Sequence, residues 1–113
     1  MHEMSLAESV LQIIEDAARV QNFRRVRTVV LEIGKLAAVE AEAMRFCFDA
    51  VTRSSIAEGA QLEIIETPGT GRCLVCGMAV AMREQYGLCP ECGSPRLEIV
   101  AGNRMRIKEM EVE

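Results

Sequence analysis

Two Cys-x-x-Cys pairs constrain this sequence more than any other feature. The first pair is Cys73 and Cys76, the second is Cys89 and Cys92, and twelve residues lie between the pairs. Four cysteines at this spacing can bring four thiolates to one tetrahedral ion, which is the ligand set of a structural zinc site. Four sulfurs fill the zinc shell, so the pattern predicts a structural metal, Zn(II), rather than a catalytic one. The alternative is two disulfides or four unrelated thiols.

The residues around these pairs predict a small zinc-ribbon-like lobe. A glycine follows the second cysteine of each pair, at Gly77 and Gly93, and glycine readily takes the left-handed conformation that a tight cysteine knuckle needs. Residues 79–82 are predicted to form one side of a short hairpin. Residues 68–71, Pro-Gly-Thr-Gly, have the composition of a hinge leading into the lobe. The zinc-binding domain is therefore predicted to span 68–98.

Composition narrows the classes of protein to which the chain can belong. It has 113 residues, a formal net charge of −4 and four aromatic residues. Nucleic-acid-binding proteins usually present a clustered basic face, so no nucleic-acid partner is expected. The sequence contains no run of eighteen apolar residues and no export segment, so neither membrane insertion nor secretion is expected. Reduced cysteines then predict a cytoplasmic location.

An amphipathic helix is predicted at the start of the chain. Ser5 and Glu8 have the spacing of a capping box, in which each side chain satisfies a free backbone N–H of the first turn. Apolar residues then recur at helical spacing up to about Val20, at Leu6, Val10, Ile13, Ile14 and Ala17. The cap would place the amino terminus only a few residues from folded structure.

The middle of the chain predicts a central strand followed by a second helix. Residues 26–33 are rich in β-branched side chains, apolar on both faces and stopped by a glycine, which indicates a buried strand. The second helix is predicted over 40–53, with Phe46 widening a well-buried apolar stripe. Cys47 on this stripe is expected to be a buried, inert thiol. Glu40 either interacts with the helix dipole or is a spare oxygen ligand, and the dipole role is favoured.

These elements together predict an α+β fold. Further strands are predicted over 60–66, over 97–101 and after the turn at 102–103. The expected architecture is a small two-helix, mixed-sheet domain of residues 1–67 and 99–113, with the zinc-ribbon-like domain of 68–98 inserted before its last strand.

The amino terminus could bind a second metal. The amine of Met1, the amide nitrogen of His2 and the His2 imidazole can close adjoining chelate rings on one ion. Ni(II) and Cu(II) favour such planar nitrogen ligation, and the Glu3 amide or carboxylate could supply a fourth donor. The alternative is a terminal histidine that is simply solvated. With one histidine, and without a P-loop or a dinucleotide-binding glycine pattern, the chain is predicted not to be an enzyme.

Several motifs together resemble the HypA/HybF family of nickel metallochaperones, which act in the maturation of nickel–iron hydrogenase. The resemblance spans essentially the whole chain and rests on Met1-His2-Glu3-x-Ser5, Leu31–Gly34, the two cysteine pairs and Ile107–Val112. It implies a nickel site at Met1, His2 and Glu3, and a structural zinc site at Cys73, Cys76, Cys89 and Cys92. It also implies a nickel-binding α+β domain with an inserted zinc domain.

The resemblance further implies partners and a mode of action. The partners would be the HypB GTPase and the immature hydrogenase large subunit, to which Ni(II) would be handed over, and a homodimer is compatible with this reading. Some relatives also serve urease. Two alternatives remain open at this stage: a zinc-ribbon module that binds RNA or DNA, and a thiol–disulfide exchange protein, which would need an unliganded cysteine pair.

Overall fold

A computed structural model describes residues 2–113, which form two helices and six strands. In chain order they are α1 (Glu3–Gln21), β1 (Val26–Gly34), α2 (Ala41–Val51), β2 (Gln61–Thr67), β3 (Gly69–Cys73), β4 (Ala79–Met82), β5 (Leu97–Ala101) and β6 (Met105–Val112). Within this described part, neither helix has both the length and the apolar character that a bilayer span requires.

The strands form two sheets, and the chain divides into two compact units. The strand orders are β2-β1-β6 and β4-β3-β5 across residues 2–113. The first unit comprises the chain up to Leu31, together with Val39–Ile64 and Ile107–Glu113; the second comprises Glu32–Ala38 and Ile65–Arg106. The predicted zinc-domain boundaries at residues 68 and 98 stay a prediction.

Hydrogen bonds at the strand ends show that the first sheet is mixed. Arg25 and Glu113 exchange two backbone hydrogen bonds, with N–O distances of 3.3 and 2.8 Å, which is the antiparallel pattern. On the other side of β1, the Val26 N–H donates to the Ile56 carbonyl and the Lys35 N–H donates to the Thr67 carbonyl. The acceptors therefore follow each other along the sequence in the same order as the donors. That order indicates parallel strands, so the predicted α+β fold with a mixed sheet is confirmed.

Helix α1 starts earlier than the sequence predicted. Glu3 is already helical, and the first intrahelical bond runs from the Leu6 N–H to the His2 carbonyl oxygen at 3.0 Å. The Ser5 hydroxyl donates to the same oxygen at 2.9 Å, so the predicted capping box of Ser5 and Glu8 is wrong. The physical reason is that Ser5 is the third residue of the helix and not the residue before it, since the helix already includes Glu3, whose buried carboxylate accepts a hydrogen bond from the Glu40 N–H.

Helix α2 packs against α1 through a narrower apolar stripe than expected. Met44 and Phe48 are buried, whereas Phe46 is 73% exposed and Cys47 is half-buried, so the expected burial of these two residues is wrong. Periodicity identifies which residues share a helix face, but the width of the covered stripe depends on what packs over it. Glu40 acts at the helix start as expected, because its carboxylate accepts from the N–H groups of Glu42 and Ala43.

The second unit is organised around β3, which the sequence predicted to be a hinge. β3 pairs antiparallel with both β4 and β5. Gly69 and Gly71 are buried, and a Cβ added at either would lie 2.6 Å from Leu36 Cγ or 2.3 Å from Met82 Sδ. These glycines therefore make room for neighbouring side chains, and the hinge interpretation of Gly69–Gly71 is wrong. The core of this unit consists of Leu36, Cys73, Val80, Met82 and Cys89, with Leu97 and Ile99 against it.

The close backbone approach at Gly34 gives a first testable prediction. A Cβ at Gly34 would lie 2.1 Å from the carbonyl oxygen of Gly102, a backbone atom that cannot rotate away. We expect Gly34→Ala to destabilise the protein by at least about 2 kcal/mol, in the upper part of the range for overpacked sites. Thermal and denaturant unfolding measure the change. Gly87→Ala is the matched control, since nothing lies within 4 Å of its added Cβ; equal stability of the two variants would contradict the prediction.

Candidate metal centres

The four clustered cysteines lie on two knuckles of the same geometry. Cys73 ends β3, and its carbonyl oxygen accepts from the Gly77 N–H at 2.9 Å. The second knuckle repeats this turn, with Gly93 N–H donating to the Cys89 carbonyl at 2.8 Å. Gly77 and Gly93 both have φ of +78°, the left-handed conformation expected from the sequence. The local sequence thus folds each Cys-x-x-Cys-Gly segment so that its two thiols face the same side.

The structure brings all four thiols together at the spacing of a tetrahedral metal site. Their Sγ atoms lie within 4.8 Å of one another, with 3.6 Å between Cys73 and Cys92 and 3.7 Å between Cys76 and Cys89. Tetrahedral zinc with bonds of about 2.3 Å requires sulfurs about 3.8 Å apart. A disulfide requires about 2.05 Å. The cluster therefore fits one metal ion and does not form the alternative disulfides.

Hydrogen bonds from backbone amides lower the pKa of one of these thiols, which favours the thiolate form that binds metal. The N–H groups of Cys76 and Val75 each donate to Cys73 Sγ at 3.4 Å. With the Cys76 amide as the main cause, the pKa of the Cys73 thiol falls to about 6. The Met78 amide favours the Cys76 thiolate, but burial and the neighbouring sulfurs outweigh it and raise the pKa of Cys76 to about 12. Four thiolates so close together need a cation to offset their repulsion.

A different group of residues meets at the start of α1. The His2 imidazole is about half exposed, and its Nδ1 lies 3.9 Å from Glu3 Oε2. The same Glu3 oxygen accepts from the Glu40 N–H at 3.1 Å. Because Leu6 is the first residue whose N–H bonds to a helix carbonyl, the amides of His2 and Glu3 precede the helix hydrogen-bond ladder. A metal could therefore bind the amide nitrogens of His2 and Glu3 without breaking a backbone hydrogen bond of the helix.

Of the three predicted nickel ligands, Met1 lies outside the described residues. His2 and Glu3 lie side by side at the helix start, whereas the Glu3–Glu40 hydrogen bond was not predicted from the sequence. No local sequence pattern predicts a hydrogen bond between residues that lie 37 positions apart. Only the burial of Glu3 in the folded structure indicates the bond, because a buried carboxylate needs a donor.

Comparison with known proteins decides the family. The sequence matches, over residues 1–112, the family described as "Hydrogenase/urease nickel incorporation, metallochaperone, hypA". The chain belongs to the HypA family. The resemblance drawn from the terminal tripeptide and the cysteine pairs is thereby confirmed. HypA proteins are metallochaperones for nickel incorporation during hydrogenase maturation.

Individual HypA proteins agree with this assignment along the full chain. The hydrogenase maturation factors HypA of Azotobacter chroococcum mcd 1 and Albidiferax ferrireducens are 58% and 60% identical over 113 residues, covering 100% of both chains in each case. The solution structure of the Ni metallochaperone HypA from Helicobacter pylori has a TM-score of 0.74 at 26% identity, covering 99% of this chain and 97% of that one. The HypA fold is therefore shared from end to end.

Acid titration of the Glu3–Glu40 hydrogen bond gives a second prediction. The Glu40 amide, with the amide of Glu3 itself, holds the pKa of the Glu3 carboxyl below its usual value, although burial opposes the shift. A depressed pKa means that the bond's contribution is fully present above the usual glutamate pKa and is lost as pH falls through the lowered value. We expect the amide proton shift of Glu40 to stay constant down to about pH 5 and to move below the usual glutamate pKa of about 4.3.

NMR spectra recorded across this pH range measure that shift. Glu3→Gln is the control, because its side chain does not titrate, so any change left in the variant belongs to other carboxyls. A wild-type midpoint above the usual glutamate value would contradict the prediction.

Proposed function

We propose that this protein binds Ni(II) at its amino terminus and delivers it to the immature large subunit of a nickel–iron hydrogenase. The Met1 amine, the His2 amide and imidazole and a donor from Glu3 form the binding set. Membership of a family for nickel incorporation supports the choice of metal. The protein acts as a carrier and not as an enzyme, because delivery needs binding and release but no bond chemistry in the cargo.

The single observation that best supports the terminal site is the arrangement of His2 and Glu3. An accessible imidazole lies beside a carboxylate, at a helix start whose first amides are outside the helix ladder. An ion can reach these donors from solvent, and it can leave again when a partner offers better ones. A carrier that bound its cargo very tightly would release it slowly.

The second metal is proposed to be Zn(II), held by Cys73, Cys76, Cys89 and Cys92 for structural purposes. Its support is the sulfur spacing and the all-thiolate donor set, which leaves no open coordination position. When bound, the ion supplies the positive charge that the gathered thiolates require. The reducing cytoplasm is the proposed location, since oxidised cysteines could not bind zinc.

The proposed partners follow from the family's role in maturation. A GTPase of the HypB type would accept or regulate the nickel, and the hydrogenase large-subunit precursor would be the final acceptor; a homodimer is compatible with either step. Urease is a second proposed client because the family description names both enzymes.

Nickel titration of the untagged protein tests the terminal site. We expect binding of about one Ni(II) by wild type and a large loss of affinity in His2→Ala, which removes a ring-closing donor. Met4→Ala is the matched control, since Met4 is an exposed side chain of the same turn. Equal nickel affinity in wild type and His2→Ala would place the nickel site elsewhere.

A further inference from the structure

The buried carboxylate of Glu3 is the most unusual group in the first unit. A helix side chain one residue from the half-exposed His2 would normally extend into solvent, yet the Glu3 side chain is only 10% exposed. Burying a carboxylate is costly unless donors satisfy it. Here the Glu40 N–H donates to Glu3 Oε2 at 3.1 Å. The first turn of α1 is thus joined to the residue that begins α2.

Glu40 extends this connection into α2. Its own carboxylate accepts from the N–H of Glu42 at 3.2 Å and from the N–H of Ala43 at 2.7 Å, which caps the helix. The two glutamates therefore form a chain: Glu3 binds the backbone of Glu40, and the side chain of Glu40 binds the first turn of α2. All of these residues belong to the first unit.

We propose that Glu3 is a positioning residue for the terminal nickel site, acting through its hydrogen bond to the Glu40 N–H and not as a carboxylate ligand. This inference rests on the proposed function. The first residues of a helix fray unless they are tied down. A chelate made of backbone and side-chain donors must be ordered before it binds, and a pre-ordered site spends less of its binding free energy on that ordering.

The atoms involved favour positioning over ligation. Glu3 Oε2 lies 3.9 Å from His2 Nδ1, and it already accepts a hydrogen bond from the Glu40 amide. Direct ligation by that oxygen would share its electron density between the metal and the Glu40 amide, and so would weaken a charge-assisted hydrogen bond to a backbone N–H beside α2. Leaving the bond intact keeps the His2 carbonyl in place for the donors of Ser5 and Leu6, and so keeps the backbone of the chelate ordered.

Four variants separate the two roles of Glu3. Glu3→Gln keeps an acceptor oxygen at the same place, whereas Glu3→Ala removes it. Glu40→Pro removes the N–H donor, and its backbone φ of −87° is close to that of proline. Glu40→Ala is the matched control for the proline variant, because both lose the capping carboxylate and only the proline variant loses the N–H.

Two measurements are made on each variant. The first is nickel affinity, by calorimetry on untagged protein. The second uses metal-free protein and needs no nickel: the hydrogen-exchange rate of the Leu6 amide, whose bond to the His2 oxygen reports order in the first turn. Zinc content and circular dichroism check that each variant folds.

We expect Glu3→Ala and Glu40→Pro to weaken nickel binding by up to about tenfold relative to Glu3→Gln and Glu40→Ala, as the loss of one hydrogen bond would. Leu6 exchange should accelerate in the same two variants. The double variant Glu3→Ala/Glu40→Pro should bind nickel no more weakly than Glu40→Pro alone, because that variant has already lost the bond.

Other outcomes overturn the proposal. If Glu40→Pro binds nickel as Glu40→Ala does while Glu3→Ala and Glu3→Gln are both weak, the Glu3 carboxylate is a ligand. If Leu6 exchange is unchanged in Glu3→Ala, the bond does not order the terminus.

Should Glu40→Pro fail to fold, the comparison of Glu3→Ala with Glu3→Gln still decides, and equal nickel affinities of these two variants reject the proposal. Failure of the proposed function is distinct: nickel affinity would then not respond to His2→Ala, whereas the exchange result would stand.

Discussion

We expect a four-residue extension, Gly-Ser-Gly-Ser, ahead of Met1 to lower nickel affinity by orders of magnitude. The extension converts the Met1 amine to an amide, so the proposed chelate loses a strong neutral nitrogen donor. The new terminal amine lies too far along the chain to close fused rings with the His2 amide and imidazole. A single added residue would not test the idea, because an amine two residues before the histidine forms a four-nitrogen plane of its own with two amides and the imidazole. Nickel and copper favour several nitrogens in one plane, and the loss of the ring-closing amine removes much of that preference.

The consequences for the rest of the protein should be small. α1 begins at Glu3, and its first intrahelical bond uses the His2 carbonyl, which the extension leaves unchanged. Zinc content and helical circular dichroism should therefore equal those of wild type. Calorimetric nickel titration of both proteins gives the comparison, and the same four residues added after Glu113 are the matched control. Hydrogenase maturation in cells should fail with the first extension and proceed with the second. Equal nickel affinities would mean that the Met1 amine is not a donor.

Most patterns confined to a few neighbouring residues were predicted correctly from the sequence, the capping box of Ser5 and Glu8 being an exception, whereas features that depend on distant residues were not. The cysteine knuckles were predictable because spacing and a following glycine define them within five residues, as the equal φ of Gly77 and Gly93 shows. β1 was predictable because it concentrates β-branched and apolar residues that face both sides of a central strand, among them the buried Val29, Val30 and Leu31. The terminal nickel donors were proposed from chain order alone, since consecutive atoms close a chelate ring in any fold.

The elements that differ from prediction depend on residues far away in the chain. Glu3 is helical, and its buried carboxylate accepts from the N–H of Glu40, which lies 37 residues later. Gly69 and Gly71 were predicted to form a hinge from their composition alone. The local sequence does not show that the side chains of Leu36 and Met82 fill the space beside these glycines. Phe46 lies at the margin of the α2 stripe, where coverage depends on neighbouring elements and not on periodicity. Such distances explain why the fold class was easier to predict than its packing.

Replacing Cys73 by alanine should remove the zinc and unfold the second unit. Cys73 is the most buried of the four thiols, at 1% exposure, and belongs to the same core as Leu36, Val80 and Met82. It also takes two backbone N–H donors, and the pKa of its thiol is lowered to about 6, so it is the thiolate most available for metal at neutral pH. In a lobe this small, the free energy of metal binding is a large part of the free energy of folding.

We expect zinc content to fall from about one ion per chain to nearly none in Cys73→Ala, because the variant loses a core ligand that two backbone N–H groups support, and water is a weaker donor for the fourth position. Hydrogen-exchange protection should disappear across β3, β4 and β5, whereas α1 and α2 should keep theirs, since the core formed by Val10, Ile14 and Met44 does not include a zinc ligand. Metal analysis and exchange mass spectrometry measure the two effects. Cys47→Ala is the matched control, a half-buried cysteine outside the cluster. Full zinc occupancy in Cys73→Ala would contradict the four-thiolate site.

Treating wild type with a chelator isolates the contribution of the metal. If β3–β5 protection is lost in chelator-treated wild type as well, the unfolding results from the loss of zinc and not from the missing thiol in the core.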